Sequence, residues 1–213
     1  MIFQLGELFS GPGGLAKGAT NVRFRHNNEE WGVNHGWAND IDLDSCATYI
    51  NNIPDANNDN VICQDVTRLD IEALPEINAF AYGFPCNDFS LVGEQKGFDG
   101  KFGPLYTYGV KVNNKFNPRF FVAENVGGIT SANKGSALKR ILNDLENSGD
   151  LGYNLIVHLY KSEHYNIAQT RHRLIIVGIR KDHDFLYRVP GGTTLEKKAL
   201  HNWRALKNVA YFD

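Results

Sequence analysis

Ile77-Asn78-Ala79-Phe80-Ala81-Tyr82-Gly83-Phe84-Pro85-Cys86-Asn87-Asp88-Phe89-Ser90 is the stretch from which the fold of this chain is read. Its opening part, Ile77 to Tyr82, is an apolar and aromatic run of strand length, and a loop rich in Gly, Gln, Lys and Asp follows Cys86. A cysteine there sits at the end of a buried strand, beside a proline that fixes the backbone. In an α/β sheet, ligands bind in the loops beyond the carboxyl ends of the strands, so Cys86 is a candidate nucleophile. Most free cysteines are simply small buried hydrophobes, and alone Cys86 would be read that way. Its company changes the reading. Glu124-Asn125 closes a second apolar strand, Phe120-Phe121-Val122-Ala123, and Arg171 and Arg173 open a third, Leu174-Ile175-Ile176-Val177. A thiol, a carboxyl and guanidinium groups therefore all fall at strand ends.

Towards the amino terminus, Ile2 to Phe9 alternates as a strand, and Ser10-Gly11-Pro12-Gly13-Gly14-Leu15 turns into a helix carrying Leu15, Ala16 and Ala19. Glycines at such a turn let a ligand lie against backbone N–H groups at a helix start, where an anion is favoured. Gly11-x-Gly13-x-x-Ala16 also fits the dinucleotide pattern, which asks for an acid about twenty positions on. Glu29 and Glu30 fall nearest that spacing, inside a polar stretch, Arg25 to Glu30, that reads as a loop. A plain structural turn is an equal reading of these glycines. Trp31 to Asn39 is the next strand and ends at Asp40, with Asp42 the better N-cap for a helix whose inner face is Leu43, Cys46, Ala47 and Ile50. Val61-Ile62-Cys63 is a third strand of this half, followed by Asp65. Asp40 is placed to accept from ribose hydroxyls and Asp65 from an exocyclic amine. A glycine turn followed by two such acids describes a site for an adenosine with a small anionic tail.

Towards the carboxyl terminus, the loop through Gly93 to Gly103 has the glycine punctuation of a lid or binding loop. Pro104-Leu105 starts a helix that Asn117-Pro118 breaks. Ser136 to Asn147 is the clearest helix, with Leu138, Ile141, Leu142 and Leu145 inward and a stop at Gly149. Tyr153 to Leu159 and Leu174 to Ile179 read as neighbouring strands. Beyond Arg180 the pattern fades into a Pro190-Gly191-Gly192 turn and one further helix between Leu195 and Phe212.

The 213 residues allow one well-cored α/β domain, and a net charge of −2 confines any nucleic-acid contact to a local patch. The cysteines, 3 in number and far apart, suit a reducing compartment. The amino terminus enters a strand at once and no apolar run has membrane length, so the expectation is a soluble, cytoplasmic protein without a leader. The 7 histidines show no metal-ligand spacing, and no metal is expected.

Taken in order, these motifs resemble the S-adenosylmethionine-dependent cytosine C5 methyltransferases that act on DNA, over nearly the whole chain to about Arg180. Phe9-Ser10-Gly11-Pro12-Gly13-Gly14 resembles the family's cofactor loop. Asp40 with Ile41 resembles the ribose end, Asp65 with Val66 the adenine end, and Gly83-Phe84-Pro85-Cys86 the nucleophile motif, Pro85 bordering the cofactor. Gly103-Pro104-Leu105 is similar to the segment lining the cofactor's methionine end, Glu124-Asn125-Val126 to the catalytic Glu-Asn-Val, and Gln169-x-Arg171-x-Arg173 to the paired-arginine motif.

The resemblance implies an α/β, Rossmann-like fold with a mostly parallel sheet and an antiparallel strand near the C-terminal end. Residues 1–181 would form the catalytic domain, and 182–213 a tail leading toward a target-recognition domain. It implies S-adenosyl-L-methionine as cofactor, S-adenosyl-L-homocysteine as product and double-stranded DNA as partner, as in a bacterial modification methylase of a restriction-modification system. In the implied chemistry Cys86 adds to C6 of a flipped-out cytosine, Glu124 donates to N3, Arg173 contacts O2 and Arg171 faces the backbone. The sequence departs from the family at Asn87 and Asp88 after the cysteine, and at Asn166 and Ala168 before the arginine motif. Neither a target-recognition region nor the family's later Gly-Asn segment is legible after Arg180, so a missing C-terminal part or second polypeptide is expected to complete the enzyme. A tRNA cytosine methyltransferase and a non-catalytic, methyltransferase-like subunit are the alternatives. A nicotinamide oxidoreductase would leave Cys86, Glu124 and Arg173 unexplained.

Overall fold

The computed structural model describes residues 1–85, 105–130, 136–184 and 187–192. Eight strands make one sheet: β1 (Ile2–Leu8), β2 (Arg23–His26), β3 (Glu29–Asp40), β4 (Val61–Cys63), β5 (Ala79–Tyr82), β6 (Phe120–Val126), β7 (Tyr153–Lys161) and β8 (His172–Arg180). Their order is β2-β3-β1-β5-β6-β8-β7, with β4 pairing on the far half of β3. β1, β3, β4, β5 and β6 are parallel, whereas β2 runs against β3 and β8 runs against both β6 and β7. The mostly parallel sheet with a reversed strand near the C-terminal end is as the sequence predicts. None of the described helices is long and apolar enough to cross a membrane.

The helices divide between the two faces. α3 (Tyr106–Phe116) and α4 (Ser136–Glu146) cover one face, burying Phe80, Tyr82, Phe121, Ala123 and Ile176 with Val112, Ile141 and Leu145. α1 (Gly14–Thr20) and α2 (Leu43–Asn52) cover only the β3-β1 side of the other, over Leu5, Val33, Ala79 and Ala81. β6 records the difference, because its residues alternate strictly between buried and half-buried. Phe120 and Val122 of β6, with Ile175, Val177 and Ile179 of β8, instead floor an apolar trough of about 1000 Å³ walled by Phe24, Trp31, Tyr160 and Tyr187.

Most local readings hold. Asp42 caps α2 by accepting from Ser45 N at 2.8 Å, and α3 ends at Asn117 in the left-handed region, φ 47°, just before Pro118. Two readings need correction. Arg25 to Glu30 is a hairpin, with Arg25 opposite Glu30 and His26 opposite Glu29 across β2 and β3. Asn27 and Asn28, both at positive φ (50° and 62°), make the tight connection that asparagine tolerates. Cross-strand charge pairs, rather than apolar alternation, define these strands. On α2, Leu43 is 75 % exposed and Ala47 exposed, and the inner face is instead Cys46, Tyr49 and the following Ile53. A tyrosine outweighs a leucine there because its ring and its hydroxyl both find partners inside.

Candidate active site

Register lines up the chemistry. Leu8 pairs with Asn39 of β3 and with Tyr82 of β5, and Tyr82 pairs with Ala123 of β6. One step further along each strand, Asp40 (paired with Cys63), Phe9, Gly83 and Glu124 (paired with Ile175) therefore stand in a row across the carboxyl edge of the parallel strands. Because β8 is reversed, its beginning lies at this edge, and so Arg171 and Arg173 join acids that follow strands.

Glu124 is the centre of the β6 end. Its Oε1 lies 2.7 Å from Arg173 Nε and 3.7 Å from Arg171 Nη2. The Arg173 Nε–H makes no aligned hydrogen bond there, so this contact is one of charge, while Arg173 Nη1 donates to His172 O at 2.8 Å. Arg171 is fixed through its carbonyl, which accepts from Ser162 N at 3.0 Å and Ser162 Oγ at 2.9 Å. On its other side, Glu124 Oε2 comes within 3.4 Å of where a Cβ on Gly83 would lie, and Phe9 O within 4.0 Å. Gly83 and the carboxylate are thus immediate neighbours. Cys86 lies outside the described residues, as does the loop from Asn87 to Gly103. The backbone leading to the cysteine is nevertheless held: the buried Asn125 donates from Nδ2 to Phe84 O at 3.0 Å, and its Oδ1 accepts from Val126 N at 2.8 Å.

The glycine turn occupies the β1 end. Phe9, Gly11 and Gly13 all take positive φ (52°, 53° and 91°), Ser10 is buried, and Gly14 opens α1. Asp40 organises this turn, Oδ2 accepting from Gly11 N at 2.7 Å and Oδ1 from Asp42 N at 3.0 Å. Each carboxylate oxygen keeps a second lone pair for a hydroxyl. Beside it Ile41 is 67 % exposed, an apolar side chain left in water. Asp65 caps a short 3-10 turn through Thr67 N at 2.9 Å, and Val66 is buried behind it. Pro85 ends the described part of the nucleophile loop, and Leu105 precedes α3, packed on the α3 and α4 core. From β3 to β6 is three strand spacings, about 14 Å, so the Asp40 and Glu124 ends form two neighbouring subsites.

Two buried polar residues, Asn39 and Glu7, escaped the sequence reading as site residues, and Asn125 was read only as part of the Glu-Asn-Val motif, with no role of its own. Asn39 donates from Nδ2 to Ile62 O at 2.8 Å and Gln64 O at 2.9 Å, tying β3 to the segment that carries Asp65. Asn125 has just been described. Glu7, 1 % exposed, accepts from Tyr49 OH at 3.1 Å, and burial pushes its carboxyl up to about 8. The available signal was strand alternation, which puts Glu7 on the same apolar face as Leu5.

Strand order, the reversed β8 and the acids ending β3 and following β4 define a Rossmann-like, S-adenosylmethionine-dependent methyltransferase fold. A family model for the C-5 cytosine-specific DNA methylases matches residues 3–210, and the chain belongs to that family. It is 54 % identical over 203 residues to the type II methyltransferase M.BbvI of Brevibacillus brevis, covering 92 % of this chain and 54 % of that protein. M.NgoFVII of Neisseria gonorrhoeae is 34 % identical over 189 residues, covering 88 % of this chain and 46 % of its own length. Among solved structures, the Entamoeba histolytica methyltransferase EhMeth shares the fold with a TM-score of 0.64 at 18 % identity, over 92 % of this chain and 58 % of that one. The chain thus spans about half the length of the curated relatives it matches.

Proposed function

We propose that this chain is the catalytic part of a DNA cytosine-C5 methyltransferase. The observation that carries the reading is the placement of Glu124 beside Gly83 and between Arg171 and Arg173, at the end of the strand next to the one leading into Pro85-Cys86. The row of acids and glycines beside it suits the cofactor, with Asp40 and the exposed Ile41 toward its ribose and adenine and the Phe9 to Gly14 turn toward its charged tail. When bound, S-adenosylmethionine supplies an electrophilic methyl group.

The chain's own residues prepare the cytosine to accept it. Cytosine C5 is a poor nucleophile until a thiolate adds at C6, so Cys86 Sγ forms a bond to C6 and electron density moves toward N3 and C5. Glu124 delivers a proton to N3 as charge builds there, and Arg173 faces the base O2. To reach the base, Glu124 Oε1 gives up one guanidinium contact, and the 3.7 Å one to Arg171 is the weaker. After C5 is methylated, its proton leaves to a base, the Sγ–C6 bond breaks to restore the thiolate, and N3 returns its proton to Glu124. Since C6 is inaccessible in a stacked duplex, the base is swung out of the helix, at a cost of a few kcal/mol.

The reading includes a further part, on a second polypeptide or a longer chain, that carries target recognition. The apolar trough, left uncovered among the described residues, and the half-length match support it. A duplex containing 5-fluorocytosine tests the whole proposal, because the C5 fluorine cannot leave and the adduct persists. With S-adenosylmethionine and the C-terminal half of M.BbvI added in trans, intact mass should show a covalent complex that Cys86→Ser abolishes, and little complex without that half. Capture of tRNA in preference to DNA would move the assignment to RNA. Binding of S-adenosylmethionine with no adduct under any condition would make the chain a non-catalytic subunit.

A further inference from the structure

Alternation along β1 turns Glu7 to the face covered by α1 and α2, where a carboxyl cut off from water needs partners. It has them on both helices. Tyr49 OH, from α2, lies 3.1 Å from Glu7 Oε2, and the backbone N–H of Ala16, in the first turn of α1, faces the same carboxyl and favours its charged form. Beyond Tyr49, its hydroxyl lies 3.3 Å from Nδ1 of His35, a β3 residue only 6 % exposed. The cap position of α1 is Gly13, which has no side chain to take an N–H, so Glu7 supplies from a neighbouring strand the acceptor that the helix start lacks. The Tyr49 ring is also the floor of the glycine turn. A Cβ on Gly13 would lie 2.9 Å from Tyr49 Cδ2, and the φ of 91° there already requires glycine.

We propose that Glu7, Tyr49 and His35 form one buried hydrogen-bonded column that sets the shape of the Phe9 to Gly14 turn, making them positioning residues for the cofactor site. The inference rests on the cofactor reading given above, but concerns residues outside that set. The column is satisfied by two proton arrangements. With Glu7 protonated, it donates to Tyr49 and Tyr49 donates to His35 Nδ1; with Glu7 ionised, His35 Nδ1–H donates to Tyr49 and Tyr49 to Glu7. In both, His35 Nε2 is the group without a hydrogen bond. Asp40 faces Glu7 from the end of β3, while Asn60 and Asp55 face His35. Burial favours the neutral forms, raising the Glu7 carboxyl and lowering the His35 imidazolium.

The test compares the full 213-residue chain with Tyr49→Phe, which keeps the ring under Gly13 and removes the hydroxyl, and with Glu7→Gln, whose amide oxygen still faces the Ala16 N–H. Tyr153→Phe is the control, since it deletes an equally buried hydroxyl that donates to Pro118 O at 2.9 Å, away from the turn. Amide hydrogen exchange should show the Ala16 N–H exchanging about ten-fold faster in Tyr49→Phe, with S-adenosylhomocysteine binding about ten-fold weaker, as loss of one buried hydrogen bond implies. Glu7→Gln should hold both within about three-fold, and Tyr153→Phe should lower Tm while moving neither. Unchanged Ala16 exchange in Tyr49→Phe, or equal losses of affinity in Tyr49→Phe and Tyr153→Phe, would overturn the proposal. If Tyr49→Phe does not fold, His35→Gln at the outer end of the column is read in the same way. If the parent chain binds no S-adenosylhomocysteine, the cofactor reading fails, and the exchange comparison still decides the column.

Discussion

Asn125 shows how much one side chain can fix. Its Nδ2 is the partner of Phe84 O in a buried setting, so Asn125→Ala leaves a carbonyl without a donor on the approach to Cys86. The expected cost is ~1–3 kcal/mol, read as a shift in the urea midpoint, together with slower trapping by 5-fluorocytosine DNA in the complemented enzyme. Glu7 makes a prediction of a different kind. Folding raises its carboxyl from the ordinary 4.5 to about 8, so between those values the folded protein holds a proton that the unfolded chain has released. Stability from this group is therefore complete at low pH, declines as pH climbs from about 4.5 to about 8, and is flat above. Glu7→Gln should remove that slope, and the difference between the two Tm-versus-pH curves isolates it from every other titrating group. Glu124, Arg173 and Asp40 were legible because each sits where an apolar run stops. Glu7 and Asn39 were not, because a polar residue within a strand looks alike whether it faces water or a buried donor.

Among the elements, β8 is held most narrowly. Gly178 faces the fully buried Phe121 across the strand pair, and a Cβ there would come within 2.2 Å of Phe121 Cε1. Phe121 is backed by Tyr153 with ring centroids 4.9 Å apart, so it has nowhere to retreat. Gly178→Ala should cost ~1–3 kcal/mol and lower Tm by several degrees in a calorimetric scan. Strands of the core side were readable from alternation and length, as was α4 from its spacing of Ile141 and Leu145. The β2-β3 hairpin was not, because its strands are paired by Arg25 with Glu30 and by Phe24 stacked on Trp31 at 6.2 Å. Neither pairing leaves a periodic apolar mark, and both become visible only when the strands lie side by side.

For the molecule as a whole, the two faces of the sheet differ in what covers them. An apolar trough of about 1000 Å³ is a concave, apolar-lined space of the size that small molecules occupy. The protein on its own should bind an anilinonaphthalene dye and self-associate as concentration rises, and adding the C-terminal half of M.BbvI should suppress both in fluorescence and sedimentation measurements. No periodicity in the sequence announces the trough, since Phe120, Val122, Ile175 and Val177 read as ordinary strand residues. Which face a helix covers is settled by chain crossings rather than by composition.

Gathering Phe9, Asp40, Gly83 and Glu124 along one rim of the sheet has a practical corollary for the opposite rim. The β2-β3 turn, with Asn27 and Asn28 exposed at its tip, lies a full strand length away from Asp40, at the other end of β3. A peptide tag spliced in between Asn27 and Asn28 should leave cofactor affinity unaltered, which titration would check. That rim is accordingly a handle, a place to tether the protein to a bead or a surface while the Asp40 and Glu124 rim stays open.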